Sequence, residues 1–147
     1  AGHVRRLCAG SPGRVETITA DMNELDLPPR YDAVLFYESF HHSHDHPATI
    51  AKALGFLRPG GILVLAAEPI VARPVPILPY PWGPRLDGET LRAIRRFGWM
   101  ELGFTQDYLY GLLRRNGLVF RRASSPETHW ADLIVATRAQ GAAGATG

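Results

Sequence analysis

The chain has 147 residues, with 16 Lys and Arg against 14 Asp and Glu and a formal net charge of +2. That is the size of one domain, and the charge is too small and too scattered to build a nucleic-acid surface. A hydrophobic share of 46% and a charged share of 20% are those of an ordinary globular protein; no apolar run nears the roughly 18 residues of a membrane span, and Cys8 as the only cysteine excludes an internal disulfide and a CxxC zinc site and fits a reducing, cytoplasmic setting.

The chain opens without Met, and residues 1–9 read as the end of a helix running into the loop Gly10-Ser11-Pro12-Gly13. A start inside a helix is what a fragment would show. Residues 15–19 alternate and are β-branched, which predicts a short strand ending at Ala20-Asp21-Met22. After a turn closed by Pro28-Pro29, an apolar run over 32–37 predicts a second strand. Its end carries Tyr37-Glu38-Ser39 and the cluster His41-His42-Ser43-His44-Asp45-His46.

Asp45 or His46 can start the next helix, with Pro47 in the first turn, where a missing N–H is tolerated. Ile50, Ala53, Leu54 and Leu57 give it an apolar face. Arg58-Pro59-Gly60-Gly61 stops it, and a third strand is expected over 62–67. Two unbroken apolar runs separated by one helix make a βαβ unit of a parallel sheet buried on both faces. Ligands of such sheets bind at the carboxyl ends of the strands, here at 37–39 with the His cluster and at 67–69.

Six prolines lie between Pro69 and Pro84, so this stretch is predicted to be neither regular helix nor central strand. Tyr80, Trp82, Trp99 and Tyr108 suit a core or a lid more than a specific binding role. A short helix over 86–97, with Asp87 as its cap, is followed by Thr105 capping a helix over 106–116 that Gly117 ends. Strands at 118–122 and 132–137 are expected to pair as an antiparallel edge. The Gly/Ala-rich tail, 139–147, is expected to be disordered.

The succession of Ala20-Asp21, Tyr31-Asp32-Ala33-Val34, Phe40-His41-His42 and Leu57-Arg58-Pro59-Gly60-Gly61-Ile62-Leu63-Val64-Leu65 resembles class I S-adenosylmethionine-dependent methyltransferases over about residues 3–138. The Leu-Arg-Pro-Gly-Gly segment after a helix is its most specific piece. The family opens with a strand and a Gly-rich GxGxG loop for the methionine part of the cofactor, and no GxGxG occurs in the first thirty residues. The resemblance therefore implies an α/β, Rossmann-like, mostly parallel sheet flanked by helices, with a hairpin-like antiparallel edge at its C-terminal end. It is N-terminally truncated: a partial methyltransferase domain, 1–138, with a Pro-rich insert, 69–100.

It also implies S-adenosyl-L-methionine as the cofactor of the parent fold and a small-molecule acceptor. By the resemblance, Asp21 accepts from the adenine amino group and Met22 backs the ring; the bland alternative is an ordinary turn acid. Tyr37, Glu38 and Ser39 line the methyl-transfer site, Glu38 orienting a substrate hydroxyl or the cofactor amine; the alternative is a solvated strand end. His42 is the candidate general base for an O-methylation, since imidazole titrates near neutrality. The His cluster has two other readings. It can be a solvent-facing helix start, or a metal set resembling the HxHxDH of metallo-β-lactamases, although His42-Ser43-His44-Asp45-His46 is one residue short of it. Glu68 reads as a substrate-side acid or, slightly better, as a loop residue. Three functions stay open at this point: methyl transfer, a non-catalytic fold that pairs with another copy through an exposed sheet edge, and a metallohydrolase.

Overall fold

The computed structural model describes residues 13, 15–71, 82–84, 88–98, 102–124 and 132–139. Strand β1 (Tyr31–Tyr37), a 3-10 turn (Phe40–His42), helix α1 (His46–Phe56) and strand β2 (Leu57–Ala66) make the expected βαβ unit. β1 and β2 are parallel neighbours, with Ala33 opposite Ile62, Leu35 opposite Val64 and Tyr37 opposite Ala66. Asp45 caps α1, its carboxylate accepting from the Ala48 N–H at 2.9 Å.

The expected break at 58–61 lies inside a strand. Leu57 already pairs with Tyr31, and the register then jumps to Ala33 opposite Ile62, so residues 58–61 loop out of the ladder. Two glycines make this affordable. Gly60 has φ +79°, and a Cβ on Gly61 would stand 3.0 Å from the Arg58 carbonyl oxygen and 3.1 Å from that of Tyr31.

Four short elements follow: β3 (Ile70–Val71), β4 (Trp82–Pro84), α2 (Gly88–Phe97) and β5 (Leu102–Thr105). The strands form a separate sheet in the order β3-β5-β4. The Pro-rich stretch thus contributes edge strands to a second sheet, a placement that leaves Pro84 no central ladder to break. Helix α3 (Gln106–Arg115) is capped by Thr105, whose hydroxyl accepts from the Tyr108 N–H at 3.3 Å. Gly117, at φ +69°, ends the turn after it. Strands β6 (Leu118–Ser124) and β7 (Asp132–Arg138) are antiparallel neighbours. β7 also pairs antiparallel with β2, so the main sheet is mixed, in the order β1-β2-β7-β6.

The core lies on one side of that sheet. Leu63 and Leu65 of β2 and Ile134 and Ala136 of β7 meet Ile50, Ala53 and Leu54 of α1 and Leu109, Leu112 and Leu113 of α3. Each fully buried Leu or Ile contributes about 2 kcal/mol. On the other face Leu35, Tyr37, Val119 and Leu133 are exposed.

One expected strand is missing. Residues 15–19 have no regular structure, and Val15 and Ile18 stand exposed. β-branched composition cannot hold an extended segment without a neighbour to pair with, and among the described residues none pairs with it. Tyr108 is half-buried, at the rim of the core that its neighbours enter. The expectations for residues 1–9, Tyr80, Asp87 and Trp99, and for the tail beyond Ala139, lie outside the described residues.

Candidate active site

The carboxyl ends of β1 and β2 are bound together by one side chain. Glu68, two residues past β2, is buried to 1% exposure. Its Oε1 accepts from the backbone N–H groups of Ser39 at 3.1 Å and Phe40 at 2.9 Å. Its Oε2 accepts from the His41 N–H at 3.0 Å and lies 2.7 Å from His41 Nδ1. The 3-10 turn has no capping side chain of its own, since Ser39 makes no such bond. Glu68 supplies from the neighbouring strand what a cap would supply locally. It is a loop residue, as expected, but a buried one whose carboxylate is engaged inside the protein.

His42 extends from this anchored turn and is half-buried, its ring centroid 4.1 Å from that of His41. Glu38, just before the turn, is exposed and adopts φ +44°, and Ala67, on the adjacent strand end, adopts φ +57°. Left-handed non-glycine residues cost free energy and cluster at functional sites. Tyr37 is 65% exposed, while Ser39 contributes its N–H to Glu68 rather than to the solvent side.

Asp21 begins a tight turn, with its carbonyl accepting from the Glu24 and Leu25 N–H groups. Its Oδ1 accepts from the Asn23 N–H and side-chain amide, both at 2.8 Å. Those bonds, the backbone one first, hold its pKa below the ordinary 3.8. The exposed carboxylate is therefore ionised at neutral pH and keeps its other oxygen for an external donor. Asn23 ties this turn to the His cluster, because its Oδ1 accepts from Ser43 Oγ at 2.8 Å, and Ser43 Oγ lies 2.7 Å from Thr49 Oγ1 of α1. The Lys52 ammonium donates to the Asn23 carbonyl. The Asp21 turn is thus tied through Asn23 to Ser43 and Thr49, next to the 3-10 turn.

The histidines do not form one metal-binding set, although His41 and His42 lie side by side. His41 faces Glu68, His46 lies among Phe40, Phe104 and Tyr108, and His44 is exposed. Among the described residues no three His, Cys, Asp or Glu side chains form a set that could hold a metal ion. Burial, the largest influence on His46, pulls its pKa below the ordinary 6.5. No helix among the described residues is long and apolar enough to cross a membrane.

Residues 3–65 match the family model described as "Methyltransferase domain". The structure aligns over 92% of its length with an S-adenosylmethionine dependent methyltransferase from Mesorhizobium loti, at 19% identity and a TM-score of 0.68, covering 75% of that chain. The fold is that of a class I S-adenosylmethionine-dependent methyltransferase. Two further structures share it. One is the 1,6-didemethyltoxoflavin-N1-methyltransferase of Burkholderia thailandensis, with 19% identity, 90% of this chain and 54% of that one aligned, and a TM-score of 0.55. The other is an O-methyltransferase from neocarzinostatin biosynthesis, with 20% identity, 94% and 38% aligned, and a TM-score of 0.58. Both hold S-adenosylhomocysteine with a small molecule, 1,6-didemethyltoxoflavin in the first and 1,4-dihydroxy-2-naphthoic acid in the second. This chain spans about half of the first of these and less of the second. No curated protein matches the sequence significantly.

S-adenosylmethionine is the cofactor of the parent methyltransferase fold. An ionised, exposed Asp21 stands beside Met22, which lines an apolar cavity, a chemistry compatible with a purine ring and its amino group. No Gly-rich loop between a strand and a helix precedes Asp21 among the described residues.

Proposed function

We propose that this domain serves methyl transfer from S-adenosylmethionine to a hydroxyl group of a small-molecule acceptor in the cytoplasm. The observation that carries the reading is the gathering of Asp21, Met22, Tyr37, Glu38, Ser39 and His42 at the carboxyl end of a methyltransferase-type sheet, the place where ligands of such sheets bind. The cofactor supplies an electrophilic methyl group when bound. Asp21 accepts from the adenine amino group and Met22 backs the ring. Tyr37 and Ser39 line the space between cofactor and acceptor, and Glu38 orients the acceptor. His42 takes the hydroxyl proton on an imidazole nitrogen as the oxygen attacks. Holding the reactants in line is the larger part of the rate enhancement.

The test is calorimetric titration of S-adenosylhomocysteine into the purified chain, followed by transfer of a labelled methyl group to a panel of phenols. Asp21→Ala should weaken binding about tenfold, a loss of about 1.4 kcal/mol. His42→Ala should leave binding intact and lower transfer about 100-fold. No heat at millimolar ligand would replace this reading with the non-catalytic one.

A further inference from the structure

Every polar atom of Asn23 is engaged, and the bonds fall on two sides. On one side its backbone N–H and its side-chain Nδ2 both donate to Asp21 Oδ1 at 2.8 Å. On the other its Oδ1 accepts from Ser43 Oγ at 2.8 Å and from Thr49 Oγ1 at 3.3 Å. Its carbonyl oxygen accepts from the Lys52 ammonium. An ionised carboxylate only accepts, so the amide nitrogen must face Asp21 and the amide oxygen the two hydroxyls.

The hydroxyl side is fixed. Ser43 and Thr49 are buried, and their oxygens lie 2.7 Å apart. Thr49 and Lys52 belong to α1. Ser43 closes the 3-10 turn that carries His42, its N–H donating to the Phe40 carbonyl at 3.0 Å. Asp21, by contrast, is exposed, and an exposed carboxylate otherwise samples several rotamers. The bond from the Asn23 backbone alone would make an ordinary Asx turn. The second bond comes from the side chain that reaches α1, and a turn does not require it. With Oδ1 held twice, Oδ2 is the oxygen presented to an external donor.

We propose that Asn23 is a positioning residue: it locks the Asp21 carboxylate to α1 and to the His42 turn, with the second oxygen aimed at the adenine amino group of the cofactor. The inference rests on the role given to Asp21 above.

Two measurements test it and tell its failure from that of the cofactor reading. In the chain without ligand, carbon NMR follows the Asp21 carboxyl, whose pKa Asn23 holds below 3.8. Asn23→Ala should move it up toward that value, and a pKa that stays in place overturns the proposal whatever the domain binds. The second measurement is calorimetric titration of S-adenosylhomocysteine. Asn23→Asp keeps an acceptor for the hydroxyls but turns a like charge on Asp21, and should weaken binding about tenfold. In an Asp21→Ala background the same change should weaken it by less than about twofold, because Asn23 acts through Asp21. Ser43→Ala combined with Thr49→Val removes the anchoring hydroxyls and should weaken binding about threefold. Binding unmoved by Asn23→Asp or by the loss of both hydroxyls overturns the positioning role and leaves the cofactor reading standing. So does a full tenfold loss in the Asp21→Ala background. A parent chain that gives no heat overturns the cofactor reading and this inference together, a result that the Asp21 titration cannot mimic.

Discussion

Glu68 and His41 meet twice: one carboxylate oxygen accepts from the His41 N–H at 3.0 Å and lies 2.7 Å from its Nδ1. With the Ser39 and Phe40 N–H groups on the other oxygen, a single buried acid satisfies the whole start of the 3-10 turn. Glu68→Ala would leave three buried donors without an acceptor, and we expect a loss of about 3 kcal/mol. Glu68→Gln keeps one acceptor oxygen and should cost less. Urea unfolding checks this, and an alanine variant within about 0.5 kcal/mol of the parent would remove the account.

His46 sets a pH dependence. Burial lowers its pKa from 6.5, so the unfolded chain binds this proton more readily than the folded one. Stability from this group is intact above 6.5 and falls as pH drops below it. The groups facing it are His41, Asp45, Glu68 and Tyr108, whose hydroxyl is 3.3 Å from His46 Nδ1. Thermal melts between about pH 7 and pH 5 should show a decline that His46→Phe flattens.

Arg122 donates to Asp132 at 2.5 Å and also reaches Gln106 and Tyr110, both at 3.1 Å. Burial alone would raise the Asp132 pKa, but the bonds from Arg122 and Ser124 outweigh it and the net shift is downward from 3.8. The contribution is therefore present above 3.8 and lost as pH falls through the lowered value. Because Arg122 is partly exposed, Arg122→Ala should cost only about 1 kcal/mol near neutrality and progressively less as pH falls below 3.8. A cost that does not change with falling pH would contradict the ion pair's role.

Two glycines should respond in opposite directions. Gly61→Ala presses a methyl group against two backbone oxygens and should destabilise by about 1–3 kcal/mol. Gly55→Ala, within α1 and with nothing inside 4 Å of the added carbon, should stabilise by up to about 1 kcal/mol. Melting temperatures of the pair decide it; a shift of the same sign in both would show that local space is not what matters.

The βαβ unit was legible because β1, α1 and β2 are each declared by local pattern: unbroken apolar runs, an Asp45 cap with Pro47, and the placement of Gly60 and Gly61. The ends of the candidate site were legible for the same reason, since Tyr37–Ser39 and His42 follow directly from where β1 stops. The segment at 15–19 was misread because strand propensity says nothing about whether a neighbour exists. The second sheet was missed because β3 and β4 are too short to show a period, and their pairing depends on β5 many residues away. The loop position of Glu68 was legible but its burial was not, because an acid after a strand looks solvent-facing. The signal was available in the other half of the contact, a turn at 39–41 with no cap of its own.

Glu38 and Ala67 stop their strands at the same height, each by turning into the left-handed region beside the other. The spacing from Gly61 to Glu68 consequently behaves as a ruler. One residue more or fewer in either strand would move the acid a full step along the sheet, about 3.3 Å, and out of reach of the amides it holds. Length changes within this segment should be lethal to the turn even when every side chain in it is kept.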